Sequence, residues 1–492
     1  MKIMLDPVLT AKPSHCSTNI QFYTFVNWML ERRDDVFFYW LVPNWVEAEE
    51  MGWYPDHPNI KYIRVPQHKD RTKEYVTLRD EMDKLIAFNG THWDFDVLIT
   101  VRAGLTPLMK MLINSPRQAG NPWVKEVWVI ENMPLMKFKG SVLVLDQKVQ
   151  DLYTLAGYHA ADRVFLMSYH ERKGIIAAAR NYFTPSMVKG LQAKLKEVVP
   201  VQFDEFKKKA KKFWYKPGQE KPFCIAYVGR LASTGTNLDK VYRAMTNNWI
   251  MKGGEKVRLV VATVSTGGRM QPPPFVELIR APREEFWRMA REDMHVVIIM
   301  HEEAGFLLAM IEPLMLGTPV IVKDLPWTRG QLGDDYPFYA NSDVKAYALC
   351  KMFYDDYDKM YDLFKEWYDG WFVPTYTERF KTDHLYTLLE NAVVDYEERL
   401  VAKIREKWVS RKKNDIVGKL IEYTGGEIHL IEDLRMLEQK KVLETLGNKL
   451  DEDVRDRVNL VFSPSFNDYR LILKGFFDYK DSSTALGHLK NE

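Results

Sequence analysis

The chain has 492 residues, of which 46% are hydrophobic, and 69 Lys and Arg against 67 Asp and Glu give a formal net charge of +2. This length predicts two or three domains. The near-neutral charge excludes attraction of a polyanion by the overall field, so any affinity for nucleic acid must come from local patches.

No run of about 18 uncharged apolar residues is present to span a membrane, and the N-terminal stretch lacks the features of a signal peptide. The cysteines, Cys16, Cys224 and Cys350, are too widely separated for a disulfide framework or a zinc knuckle. We therefore expect a reducing, cytoplasmic compartment.

Strand-like and helix-like segments alternate along the first 200 residues. KIMLDPVL predicts a strand, and the amphipathic TNIQFYTFVNWMLERR predicts a helix after it. Further β-rich runs follow: VFFYWLVP, NIKYIRVP, FDVLITVR, VKEVWVIENMP and ADRVFLMS. Such alternation is typical of a parallel sheet covered by helices on both faces. We predict a Rossmann-like domain over residues 1–200.

The alternation restarts after a basic linker, which we place at residues 201–220. Strands are predicted for KPFCIAYVGR, VRLVVATV and HVVIIM, and helices for NLDKVYRAMTN and PREEFWRMAREDM. We predict a second Rossmann-like domain over 221–395 and a small, mostly helical module over 396–492 that includes FNDYRLILKGFFDY as a helix. Two doubly wound domains are expected to form a central cleft at the carboxyl ends of their sheets, where such folds bind ligands.

The stretch HEEAGFLLAMIEPLMLGTPVIV follows the last of these strands. Gly305 and Phe306 are predicted at or near a helix N-terminus, whose unpaired N–H groups favour an anion. Glu312 lies in the apolar interior of that helix, and a buried carboxylate must be hydrogen-bonded. The ribose hydroxyls of a sugar nucleotide would satisfy it, and so would a lysine or a backbone amide.

This stretch resembles the C-terminal signature of the retaining GT-B glycosyltransferases: Glu-Gly-Phe-Gly, four apolar residues, Glu-Ala-Met-Ala, then Gly-x-Pro-Val-Ile. The matching positions are Gly305, Phe306, Glu312, Gly317, Pro319 and Val320. CIAYVGRL also resembles the family's strand ending in Gly-Arg-Leu. The resemblance covers roughly residues 162–353. It implies the GT-B fold, with residues 1–200 as the acceptor domain and residues 221–395 as the nucleotide-sugar-binding domain. It also implies retaining transfer of a sugar from a nucleoside diphosphate sugar, with a UDP-sugar as the expected donor.

The resemblance also implies roles for individual residues. Arg230 would bind the diphosphate, although a surface salt bridge is its alternative, while Glu312 would bind the ribose and Gly305 and Phe306 would supply backbone N–H groups. The family's first signature glutamate falls on Ala304 here, which leaves Glu303 as the candidate at the donor sugar.

The family lysine after Gly-Arg-Leu falls on Gly235, and Lys240 is the nearest replacement. The STGT turn offers an anion nest in its place. The remaining donor-site candidates are glycine or threonine residues of loops after strands: Gly229, Thr234, Gly235 and Thr266.

His15, in the loop after the first strand, is a candidate for assisting the acceptor hydroxyl or the diphosphate, or belongs simply to a helix start. No spacing of metal ligands is visible, and we expect no obligatory metal.

The stretch FKKKAKKFWYK sets six lysines beside three aromatic residues, a composition suited to phosphates and exposed bases. The candidate nucleic-acid-binding residues are basic or aromatic: Lys207, Lys208, Lys211, Lys212, Trp214 and Arg411. A solvated linker or a patch for anionic lipids explains the stretch equally. The C-terminal module could read DNA or could pack or dimerise.

These stretches favour a DNA acceptor, namely hydroxymethylated pyrimidine bases of the kind that phage enzymes glycosylate, with the target base flipped into the cleft. The location would then be the host cytoplasm. One alternative is a glycosyltransferase of cell-surface polysaccharide or lipid-linked glycan synthesis. Another is an inactive sugar-nucleotide-binding protein, because Ala304 and Gly235 stand where the family has a glutamate and a lysine. The sequence does not predict the oligomeric state.

Overall fold

The computed structural model describes residues 1–7, 17–47, 54–67, 77–78, 80–81, 95–114, 125–131, 147–167, 171–201, 222–229, 237–246, 257–263, 276–280, 283–302, 306–409, 458–463 and 468–473. The strands are β1 Lys2–Asp6, β2 Phe37–Pro43, β3 Ile60–Val65, β4 Val97–Thr100, β5 Glu126–Glu131, β6 Arg163–Leu166, β7 Leu195–Glu197, β8 Phe223–Val228, β9 Val257–Thr263, β10 Glu277–Arg280, β11 Val296–Ile299, β12 Val320–Lys323, β13 Tyr339–Ala340, β14 Val458–Ser463 and β15 Asp468–Leu473.

The α-helices are α1 Ser17–Leu30, α2 Thr106–Ile113, α3 Gln147–Ala160, α4 Glu171–Tyr182, α5 Pro185–Lys194, α6 Leu238–Thr246, α7 Arg283–Glu292, α8 Leu308–Met315, α9 Pro326–Leu332, α10 Asp343–Asp355, α11 Tyr357–Trp367, α12 Val373–Asp383 and α13 Leu385–Val409. A 3₁₀ turn, Ala103–Leu105, precedes α2, and a π-helical turn, Tyr368–Phe372, joins α11 to α12.

The first sheet is parallel throughout, with strand order β3-β2-β1-β4-β5-β6-β7. Its central strands β1, β4 and β5 are completely buried. A strand covered on both faces has little reason to alternate polar and apolar residues, which is why these runs stand out in the sequence. The edge strand β7 was not predicted, because it has only three residues and lies close to the start of the predicted linker.

The second sheet is also parallel, with order β10-β9-β8-β11-β12-β13. Every residue of β8 and β11 is buried. The predicted strands and helices of this region are confirmed, and the helix expected near Phe306–Leu316 is α8, Leu308–Met315.

Both sheets have a topological switch point, where the chain proceeds to one side and later to the other. In the first sheet it lies between β1 and β4, and in the second between β8 and β11. In open parallel sheets the crevice outside the carboxyl ends of the strands at this point is the usual ligand site. Topology alone therefore favours two places in this molecule as ligand sites, one at each switch point.

The long helix α13 leaves the second domain and packs on the first. Its buried residues recur every three or four positions and join the core of the first sheet: Leu385, Tyr386, Leu389, Ala392, Val393 and Tyr396. Polar contacts flank this stripe, with Trp28 donating to Glu390 at 2.9 Å and Arg33 paired with Glu397 at 3.0 Å. The helix spans the predicted boundary at 395/396.

The chain passes into α13 through His384, which forms an isolated β-bridge with Val199. Val199 donates its N–H to Asp383 at 2.8 Å and accepts from Leu385 at 3.0 Å. The His384 ring is 1% exposed and lies between Trp28 and Phe380. Burial, and secondarily the charge of Arg32, lowers the pKa of His384 to about 4.

In the C-terminal module, β14 and β15 form an antiparallel hairpin, with Val458 opposite Leu473. The helix predicted over FNDYRLILKGFFDY is therefore wrong for residues 468–473, which form β15. Pairing with β14 satisfies the backbone of this segment, and the sequence analysis did not recognise that partner.

Among the residues that the structure describes, no helix has the length and apolar character needed to cross a membrane.

Replacing Leu389 by alanine should lower the free energy of unfolding by about 2–5 kcal/mol, because the side chain is completely buried under the first sheet. Val394→Ala on the same helix is the control, since Val394 is 41% exposed and should change the stability by less than about 0.5 kcal/mol. Urea unfolding measures both. Equal effects would contradict the packing of α13 described above.

The pKa of His384, about 4 when folded against an ordinary 6.5, predicts acid sensitivity. The unfolded chain takes up the proton first, so the stability present above pH 6.5 is lost progressively as the pH falls towards about 4. His384→Gln should lose less stability than the wild type between pH 7 and pH 4.5, whatever its stability at pH 7. Parallel pH dependences would show that His384 does not contribute.

Candidate functional site

Glu312 lies on α8, which follows β11 at the switch point of the second sheet. The side chain is 4% exposed, and its Oε2 accepts a hydrogen bond of 3.1 Å from the indole Nε1 of Trp287 on α7. This indole is therefore one partner that the buried carboxylate has within the protein. The indole holds one carboxylate oxygen in place, which also limits how the rest of the group can turn.

The helix ends in a turn that requires glycine. Gly317 has φ +82, a left-handed conformation that suits glycine at a helix C-terminus, and its N–H donates to Leu314 at 2.9 Å. At the opposite end, Phe306 lies just before the N-cap residue Leu307 and packs against the cores of both sheets. The start of α8 therefore lies where the two domains meet.

Gly229 follows β8, the neighbour of β11. Its φ is +144, and a Cβ there would lie 2.8 Å from the Tyr227 hydroxyl, so no other residue fits without displacement. The Tyr227 ring lies nearly parallel to the His301 ring, with centroids 6.2 Å apart. Burial lowers the pKa of His301 to about 4, so its imidazole is neutral at neutral pH.

Glu302, the residue after His301, gathers polar donors from two neighbouring elements. Its Oε1 accepts from Asn237 Nδ2 at 2.8 Å and from Lys240 Nζ at 3.1 Å, and its Oε2 accepts from Lys323 Nζ. Burial opposes ionisation, but the hydrogen bonds from Lys323, Asn237 and Lys240 outweigh it and lower the pKa of Glu302 to about 2. The carboxylate is therefore ionised at any working pH.

A second charged cluster lies at the switch point of the first sheet. Arg102 donates from Nε to Asp6 at 2.7 Å and from both terminal nitrogens to Glu81 at 2.6 and 3.0 Å. Gln67 donates to both carboxylates, and Thr100 donates to Asp6 at 2.7 Å. Asp6 and Glu81 are completely buried, and Arg102 is 4% exposed. Burial raises the pKa of Glu81, although Arg102 opposes the shift.

The sequence analysis missed this cluster. Asp6 ends β1 and Arg102 follows β4 by two residues, so both were visible as charges directly after apolar strands. Their position at strand ends could have marked them as site candidates. The sequence does not show that β1 and β4 are neighbours in the sheet, so it could not show that the two charges meet.

Of the predicted donor-site residues, the structure describes Glu312, Phe306, Gly229 and the replacement candidate Lys240. The first three come after β8 or β11, the two strands of the switch point, and Lys240 lies on α6, which follows β8. The other site predictions lie outside the described residues: Arg230, Glu303, His15, Gly305, Thr234, Gly235, Thr266, Lys207, Lys208, Lys211, Lys212, Trp214 and Arg411.

Within the described ranges, no three His, Cys, Asp or Glu side chains come together in a way that could hold a metal ion. The expectation that no metal is required stays a prediction.

No family model and no curated protein sequence matches this chain. Solved structures do. Sucrose-phosphate synthase from Thermosynechococcus elongatus has a TM-score of 0.57 at 12% identity, with 82% of this chain and 99% of that chain covered. Trehalose 6-phosphate synthase from Burkholderia multivorans has 0.52 at 12%, with 82% and 99% covered. Anabaena HepE, in complex with UDP and glucose, has 0.52 at 9%, with 80% and 98% covered.

At these identities the likeness establishes the fold. The predicted GT-B architecture is confirmed by two parallel, doubly wound sheets, each with its switch point, and by the likeness to these glycosyltransferase structures.

Replacing Arg102 by methionine should destabilise the chain by about 3–5 kcal/mol, because Asp6 and Glu81 would remain buried without their cation. The triple variant Asp6→Asn, Glu81→Gln, Arg102→Met should recover part of this loss, since it removes the uncompensated charges. Arg180→Met, at an exposed position of α4, is the control. Urea unfolding checks all three, and a loss below about 1 kcal/mol for Arg102→Met would contradict the buried cluster.

Proposed function

We propose that this protein is a retaining glycosyltransferase that moves a sugar from a UDP-sugar to an acceptor hydroxyl. The observation that carries the proposal is the buried Glu312 on α8, the helix that follows β11 at the switch point of the second sheet. Its carboxylate is held by Trp287 of the neighbouring helix α7. Likeness over 80–82% of the chain to sugar-nucleotide enzymes supports it. HepE has been solved with UDP-glucose, and an E. coli structure of TM-score 0.51 holds UDP-2-fluoro glucose.

The chemistry requires stabilisation of a departing diphosphate and of an oxocarbenium-like sugar, for which cations and N–H donors serve better than a strong base. We assign Arg230 and the backbone N–H groups of Gly305 and Phe306 to the diphosphate. Glu312 accepts from the ribose, and Glu303 contacts the donor sugar. The remaining donor contacts are assigned to strand-end loops: Gly229, Thr234, Gly235 and Thr266.

The Trp287 contact gives Glu312 a defined orientation before the donor arrives. A carboxylate fixed in advance loses little freedom when a ribose hydroxyl binds, so more of the hydrogen-bond energy appears as affinity.

For the acceptor, we propose hydroxymethylated pyrimidine bases in DNA, with His15 at the acceptor hydroxyl. The support is the composition of residues 206–216 and the basic lead-in to the C-terminal module, and thus the sequence alone. Polysaccharide or lipid-linked glycan acceptors are the alternative of the same enzyme class, and an inactive sugar-nucleotide binder is the alternative from another class.

A transfer assay with radiolabelled sugar from UDP-glucose, UDP-GlcNAc and UDP-galactose separates these proposals. The acceptors are hydroxymethylcytosine DNA, hydroxymethyluracil DNA, unmodified DNA and a glycan panel. We expect label on modified DNA alone, and binding of that DNA should weaken steeply with salt, because phosphate contacts release counterions. Label on glycans alone would overturn the DNA proposal. Donor binding with no transfer or hydrolysis would indicate the inactive binder.

Glu312→Gln tests the donor site. Glutamine keeps the size and an oxygen for Trp287 but loses the charge, so the affinity for the UDP-sugar should fall by about 10- to 100-fold, the effect of a lost charge-assisted hydrogen bond of roughly 1.5–3 kcal/mol. Calorimetry measures the affinity, and thermal unfolding checks the fold. Glu366→Gln, exposed on α11, is the matched control. Unchanged affinity would make Glu312 a purely structural partner of Trp287.

A further inference from the structure

Charged side chains meet at the carboxyl ends of three adjacent strands of the second sheet. Glu302 follows β11, Lys323 ends β12, and Lys240 lies in the first turn of α6, which comes after β8. Because β8, β11 and β12 are neighbours in this order, all three side chains lie at the edge of the switch-point crevice. The only residue of this group that the sequence analysis connected with ligand binding is Lys240.

The carboxylate is the fixed part of this group. Asn237 has a left-handed φ of 50 and donates Nδ2 both to the Met300 carbonyl, at 2.6 Å, and to Glu302, at 2.8 Å. The backbone carbonyl of Glu302 accepts from the Trp327 indole at 3.1 Å. Glu302 is thereby held from both its backbone and its side chain, and the two lysines are positioned relative to it.

The lysines have donor capacity to spare. An ammonium group carries three N–H donors, and each lysine donates to one oxygen of Glu302. Neither lysine has another hydrogen-bond acceptor among the described residues. Their side chains are 33% exposed for Lys240 and 14% for Lys323, so neither lysine is closed off from solvent.

The charges leave a net excess of one positive charge, because two ammonium groups share one carboxylate. Two cations held near each other repel, and a second anion between them lowers this repulsion. The dipole of α8, whose N-terminus follows Glu302 at the same edge, adds to the positive potential. The arrangement suits an anion with several oxygens that can accept from two point charges at once.

We propose that Lys240 and Lys323, held by Glu302, bind the diphosphate of the nucleotide-sugar donor. This inference rests on the proposed function and names the cations of its donor site. Each ammonium group donates one of its remaining N–H groups to phosphate oxygens, and Glu302 fixes the positions of the two ammonium groups relative to each other. The competing explanation is that these ion pairs only tie α6 and β12 to β11.

Calorimetry on the full chain separates the two explanations. Binding of UDP, GDP, ADP and dTDP is measured first, and the nucleoside diphosphate bound most tightly is then compared with its free nucleoside. Lys240→Gln and Lys323→Gln should each weaken binding of the diphosphate by about tenfold or more and change binding of the nucleoside by less than about twofold. Lys351→Gln, which removes an exposed ion pair with Asp355 on α10, should change neither.

Conservative variants guard against misfolding. Lys323→Arg and Lys240→Arg keep the charge and should retain most of the affinity for the diphosphate, while thermal unfolding monitors the fold of every variant. If the glutamine variants lower the melting temperature but leave the ratio of diphosphate to nucleoside affinity unchanged, the ion pairs are structural and the inference is wrong, although the proposed function stands. If the wild type binds no nucleoside diphosphate, both are wrong.

Discussion

A carboxylate that leaves water needs a hydrogen-bond donor, and this requirement organises the carboxyl ends of both sheets. In the first sheet, Arg102 supplies donors to Asp6 and Glu81 at once. In the second, the indole of Trp287 supplies one to the buried Glu312, and the partly exposed Glu302 also accepts from two lysines and an amide. The switch points are thus lined with polar groups whose positions are fixed by their partners, on strands that are otherwise apolar.

These two edges are held together by packing. Phe306 contacts both cores just before the start of α8, and α13 carries a stripe of apolar residues from the second domain back onto the first. Aliphatic and aromatic contacts of this kind are worth more than the exposed ion pairs that flank them, since solvent screens the latter. The relative placement of the two crevices therefore depends mainly on buried surface, and the chemistry depends on the polar groups at their rims.

Much of this architecture was predictable from the sequence because fully buried parallel strands read as uninterrupted apolar runs. That signal identified β8 and β11, and the spacing after β11 identified Glu312 as a carboxylate in need of a partner. The partner itself was not predictable, because Trp287 precedes Glu312 by 25 residues and meets it only when α7 packs beside α8. The same holds for Asp6 and Arg102, which are 96 residues apart. The strand β15 was predicted as a helix because its own residues do not reveal that it pairs with β14.

The contribution of α13 to the first core has a counterpart: Val199 and Val201, just before and at the start of the predicted linker, belong to the core of the second sheet. Each domain is therefore discontinuous in the chain. During synthesis, the hydrophobic surface of the first sheet is fully covered only after residues near 385–396 have been made. The entire second sheet has emerged by then. Domains that fold as units normally do so in order from the N-terminus. Here the first domain to begin is among the last to be completed, and a fragment cut at the linker would expose apolar surface on both halves.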